Sequence, residues 1–248
     1  MGKRLFSDME LEALASAPPD ERSERAAITG YADWIAHTQA WLLDRHGAPA
    51  LSALNQATQT YFATVAPMSS EHDTYRDWIS VVLAHVYETH GVDGLEAALS
   101  HAAERTLLAW LPHDIARTPE KRLVSWVRLL RGHHSELRIE EEDDRFVITQ
   151  DPCGSCTRQV EDGRYGPPLS LPVVEEWGGP TIYRSHIRVM HQALPRQRLG
   201  VPWPVNICPA GLGTGPCTIL LYKDPLDPAA ADVPNPFWPA DAEGISER

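Results

Sequence analysis

The chain has 248 residues, enough for one large or two small domains, and its 43% hydrophobic and 23% charged residues exclude a disordered polypeptide. A formal charge of −12 argues against a general affinity for nucleic acid or anionic membrane, since both reward a basic surface. No apolar run reaches the roughly 20 residues that span a bilayer.

At the N-terminus, Lys3 and Arg4 meet Asp8 and Glu10 instead of an apolar signal core. Phe6 breaks the myristoylation pattern after Gly2. The expectation is a soluble protein of the cytoplasm. In that reducing compartment cysteines serve as thiols or metal ligands more often than as disulfides.

The first element predicted is a short amphipathic helix within residues 1–19, carrying Leu11 and Leu14 and ended by Pro18 and Pro19. An internal repeat follows. At an offset of 44 residues, Tyr31, Asp33, Trp34 and Ile35 match Tyr75, Asp77, Trp78 and Ile79. The register continues through Ala40 and Ala84, His46 and His90, Gly47 and Gly91, Leu51 and Leu95, and Ala53 and Ala97. Residues 31–55 and 75–99 are therefore a duplication.

Each copy reads as a helical hairpin. Trp78, Ile79, Val82 and Val86 form a stripe of helical period. Gly47 and Gly91 fall where a helix ends in a left-handed cap, each after a histidine suited to the negative helix end. Second helices are expected over about 49–65 and 93–111, closing a compact bundle rather than a solenoid. A further helix starts at Thr118 with Pro119 in its first turn and runs to about His133.

The texture then changes. Leu137–Glu141 and Arg145–Thr149 alternate around an acidic turn and predict a β-hairpin, and Thr218–Tyr222 predicts a later strand. The expected architecture is α+β. A duplicated helical-hairpin region over 1–135 packs on a small β-rich region bearing cysteine and histidine over 136–225. A Pro/Ala-rich tail follows over 226–248, with Phe237 and Trp238 pinning it to the body.

All four cysteines lie in the second half. Cys153 and Cys156 form a C-x-x-C knuckle, with Gly154 allowing a tight turn, while Cys208 and Cys217 are spaced by eight residues. His186 and His191 lie between the pairs. These six residues are candidate ligands for a transition metal, zinc first and iron second, because such ions take roughly four N or S donors. Four protein ligands would make the site structural, and three with an open position would make it catalytic.

His186 and His191 are the candidate proton-moving residues. Arg158, Arg184 and Arg188 concentrate positive charge beside them and suit a small anionic substrate, although ion pairing to surface acids explains such arginines equally well. In a regular helix Arg184, Arg188 and His191 would share one face and His186 would point elsewhere.

The expected function is a metal-dependent hydrolase or lyase acting on a small anionic metabolite. Two alternatives stand beside it: a non-catalytic structural-zinc or ligand-sensing domain, and a thiol enzyme using Cys153 or Cys156. The helical repeats also offer a face for a homodimer. Residues 211–216 lack the ending of a phosphate loop and read as a turn into the following strand. His85-x-x-Glu88 and His101-x-x-Glu104 reverse the order used by di-iron bundles and read as packing.

Overall fold

The computed structural model describes residues 4–209, 212 and 215–234. It is α+β, with long N-terminal helices and a small antiparallel sheet in the C-terminal part. The predicted positions of Phe237 and Trp238 lie outside the described residues. No helix among the described residues is long and apolar enough to cross a membrane.

Helix α1 (Asp8–Ser16) opens on a capping box in which Ser7 and Glu10 satisfy each other's backbone N–H groups. The duplicated region forms α2 (Glu21–Thr64) and α3 (Glu71–Arg105), each broken by its repeat glycine. Gly47 has φ 78° and ψ −179°, and Gly91 has φ 68° and ψ −170°. Side chains other than hydrogen essentially never adopt that backbone region. The histidine–glycine pair is thus the corner of each copy, as its sequence position implies.

Contacts across the corners define the path. Tyr31 packs on His72 at 5.5 Å between ring centroids, and His46 stacks on His90 at 3.8 Å. The arms before the two glycines therefore run side by side in the same direction. Tyr61 Oη donates to the carbonyl of Thr74 at 2.8 Å, so the arm after Gly47 has returned to the starting level of α3. Each copy is a helical hairpin, and the repeat brings the two corners together. Leu42, Leu54, Val82, Leu83, Leu95 and Leu99 fill the space between the arms.

Helix α4 (Leu107–Ile115) leads to α5 (Pro119–Gly132), capped by Thr118. Strands β1 (Leu137–Glu141) and β2 (Arg145–Gln150) form the predicted hairpin, and β3 (Val205–Ile207) and β4 (Cys217–Tyr222) complete a sheet of order β1-β2-β4-β3. Leu123, Trp126 and Val127 of α5 pack with Phe146 and Ile148 of β2 and Ile219 and Leu221 of β4. One face of the sheet is buried this way, which explains the alternating burial along β2.

The C-terminal region is less β-rich than its prolines and glycines suggest. Between β2 and β3 it holds α6 (Cys156–Glu161), three short 3₁₀ turns or π-helical segments, and α7 (Leu194–Leu199). The physical reason is local: proline and glycine punctuate the chain every few residues there, so helical turns form but cannot extend.

Candidate functional site

Sheet register assembles the cysteines. Gln150, the last residue of β2, pairs with Cys217, the first of β4. Cys153 leaves β2 three residues later and so turns back over the same sheet end. Ile207 of β3 pairs with Thr218, which sets Cys208 beside Cys217. Two discontinuous pieces of sequence thereby meet through ordinary antiparallel pairing.

The C-x-x-C turn is tied down by Ser135. Its hydroxyl donates to Gln150 Oε1 at 2.9 Å and accepts from the Gly154 N–H at 2.9 Å. Gly154 is needed for close approach rather than for an unusual φ. A Cβ there would lie 1.7 Å from the His133 carbonyl oxygen, inside backbone that cannot yield.

The sulfurs of Cys153, Cys156 and Cys217 lie within 4.8 Å of one another, and all three residues are buried. Cys153 and Cys156 Sγ are 3.3 Å apart, and Cys156 and Cys217 Sγ are 3.9 Å apart. Tetrahedral bonds of about 2.3 Å from one zinc ion place their sulfurs about 3.8 Å apart, so the cluster has the size of a thiolate cage. Among the described residues it is the one group of three or more such side chains whose ligand atoms converge to this degree.

Its electrostatics favour a thiolate. Hydrogen bonds with the Cys153 and Cys217 thiols, aided by the Arg184 guanidinium, hold Cys156 well below the ordinary thiol range. The same hydrogen bonding pushes Cys153 up. Arg184 is fully buried and donates to the carbonyl of Pro209 at 3.1 Å, behind the sulfurs.

The two predicted histidines do approach one another. The chain over Ile187–Ala193 is π-helical, so residues five apart fall on one face, and the His186 and His191 rings lie 5.6 Å apart. The regular-helix expectation that His186 points elsewhere is corrected by this wider turn. Nδ1 of His186 bonds the carbonyl of Tyr183, and Nδ1 of His191 bonds that of Trp203 at 3.0 Å. A carbonyl only accepts, so both rings carry the proton on Nδ1 and keep a lone pair on Nε2, the tautomer a ligand or base requires. Burial lowers His186 to about 4 and His191 to about 3.

A cavity of about 1180 Å³ reaches this place. It runs between the first arm of α2 and α5, past Trp34, Trp110 and Trp126, to a floor that includes all four cysteines, His186 and His191. Exposed Arg22, Lys121 and Arg128 stand at its mouth. The arginines singled out in the sequence are placed elsewhere. Arg158 pairs with Asp73 at 3.0 Å, Arg188 lies 5.0 Å over the Trp177 ring, and Arg184 backs the cluster.

The cavity wall also holds residues that sequence reading did not single out as site residues: Tyr31, His133, Ser155 and Tyr183. Tyr31 Oη lies 2.9 Å from His133 Nδ1 and 3.1 Å from both Ser155 Oγ and Tyr183 Oη. Tyr31 was visible only as a repeat marker, and nothing in its spacing to His133 or Tyr183 signals a contact. No protein-family model, no curated protein and no solved structure matches the chain.

Proposed function

We propose that the chain is a metal-dependent enzyme, a hydrolase or lyase of a small anionic molecule, with a thiophilic ion held by Cys153, Cys156 and Cys217. The observation that carries this reading is the convergence of three buried sulfurs on the floor of a large cavity. Soft thiolates select zinc or iron over magnesium or calcium, and zinc fits a cage of this size. An ion with an open position would polarise an oxygen of the substrate or of water.

The residues around the cluster suit such a role. His186 and His191 line the shared cavity with Nδ1 engaged by backbone carbonyls, which leaves Nε2 to hold or move a proton. Three tryptophans supply apolar walls for the rest of the substrate. Arg22, Arg25, Arg117, Lys121 and Arg128 outnumber Asp20, Asp33 and Glu120 along the cavity lining, a modest positive excess in an otherwise acidic protein that favours an anion.

One observation favours a second reading. Cys208 is buried beside Cys217, and a fourth thiolate from it would close the ion in a structural site. X-ray absorption on zinc-loaded protein separates the two. Three sulfurs with one nitrogen or oxygen support the enzyme, and four sulfurs support the structural site.

A further inference from the structure

Behind the cavity wall lies a chain of hydrogen bonds that the thiol cluster does not use. His72 Nδ1 is 3.2 Å from Asp73 Oδ1, and His72 Nε2 is 3.2 Å from His133 Nδ1. Asp73 is itself held by Arg76 and Arg158, each at 3.0 Å. Although burial works against it, the hydrogen bond from His72 and the charges of these arginines keep the Asp73 carboxyl well below its usual range.

The donors and acceptors can be assigned in sequence. An ionised carboxylate only accepts, so His72 carries its proton on Nδ1. Neutral His72 then offers a lone pair at Nε2, and His133 must donate its Nδ1 proton to it. That fixes the His133 tautomer and leaves Nε2 of His133 unprotonated. Among the described residues both hydrogen bonds of the His133 ring fall on Nδ1, and His133 lines the cavity. Tyr31 Oη, 2.9 Å from the same nitrogen, can accept from that proton as well, and has Ser155 and Tyr183 as its further partners.

We propose that His133 is a further proton-transfer residue of this cavity, beside His186 and His191, with His72 and Asp73 as its positioning residues. His133 Nε2 takes a proton from a bound hydroxyl, thiol or ammonium group, and the ring becomes an imidazolium. The Nδ1 proton then passes to His72 Nε2, so that His133 is neutral again and the new imidazolium sits against the Asp73 carboxylate. One N–H bond forms as the next breaks, and no electrons change hands. Returning the proton to the product reverses both steps and restores the neutral resting ring.

The groups around His133 are compatible with a neutral resting ring. Tyr31 faces it from α2 and His72 from α3, His134 adjoins it in the chain, and Tyr183 and His186 close the cavity side. Burial, reinforced by His72 and His186, lowers His133 to about 3. The relay requires the cavity but no ion in the thiol cluster.

The test is carbethoxylation by diethyl pyrocarbonate, mapped by mass spectrometry on the full chain with zinc content measured in the same sample. An ordinary histidine, titrating near 6.5, should react about tenfold more slowly at pH 5.5 than at pH 7.5. His133 is expected to change less than twofold and to show an Nδ1–H tautomer in long-range ¹H–¹⁵N spectra. His72→Gln should slow its modification at least threefold at pH 7.5. A tenfold pH response, an Nε2–H tautomer, or an unreactive His133 in the folded protein would overturn the relay, and the tautomer result stands even if the variant does not fold. Absence of zinc with a pH-insensitive His133 would sink the metal reading alone.

Discussion

Gln150 and Cys217 face each other across the β2–β4 ladder, and this single pairing is what brings Cys153 and Cys156 to Cys217. A sheet slip of one residue would turn Cys217 to the opposite face and disperse the cluster. The site is therefore as secure as the sheet, whose buried face packs on α5 through Phe146, Ile148 and Ile219.

The approach of the C-x-x-C turn to the end of α5 gives a first prediction. Gly154→Ala places a methyl group 1.7 Å from the His133 carbonyl oxygen, so either the turn or the helix end must move. Overpacking against backbone should cost about 3 kcal/mol, read as a lower urea midpoint, and should weaken metal retention by the same displacement. An unchanged midpoint would show that this turn has slack.

The hairpin corners give a second. At Gly47 and Gly91 the backbone occupies a region that alanine tolerates poorly. Each Gly→Ala change should destabilise the fold by about 1–3 kcal/mol, and the His46–His90 stack should loosen with it. Thermal unfolding of the two single variants checks this, with similar losses expected because the corners are repeats of one another.

Buried Arg76 gives a third. It lies within 3.0 Å of Asp73 and Asp162 and 2.9 Å from Asp77. Arg76→Met removes the cation and leaves Asp77, fully buried, with Arg164 as its remaining charged partner and the Gln159 amide as a neutral donor. Breaking such a group from one side should cost about 3–5 kcal/mol. Denaturant titration at pH 7 reads the loss, and a change below about 1 kcal/mol would mean that solvent reaches these carboxylates.

Acidification gives a fourth. His133 titrates at about 3 in the folded chain, below the 6.5 of an unfolded histidine. The unfolded state therefore binds the extra proton first, so this contribution is complete above pH 6.5 and is lost as pH falls from there toward 3. Two pH units below 6.5 the loss from this ring is about 2–3 kcal/mol. Unfolding free energies at pH 7 and pH 4.5 measure it, and the slope should shrink in His133→Gln. An identical slope in that variant would place the proton uptake elsewhere.

Much of the fold was legible. The repeat was read from Tyr31, His46 and Gly47 against their partners, and the β-hairpin from strict alternation, because both signals are local or self-similar. The cysteines could be grouped because thiols are scarce and their chemistry is narrow. The relay could not. Asp73, His72 and Tyr31 come from two helices and His133 from the C-terminal cap of a third, all are ordinary residues there, and only tertiary packing joins them. Duplication even misleads here: Asp77 is a buried ion-pair partner, whereas its counterpart Asp33 is exposed. The π-helical turn at His186 and His191 was equally hidden, since no residue pattern distinguishes it from a regular helix.

The central claim is the thiol-held ion, and elemental analysis of untagged protein tests it most directly, beside Cys153→Ser and Cys217→Ser. About one zinc or iron per chain, lost in both variants while the helical circular dichroism persists, is the expected result. Carefully purified protein that holds no such ion, or metal that survives both substitutions, would contradict it.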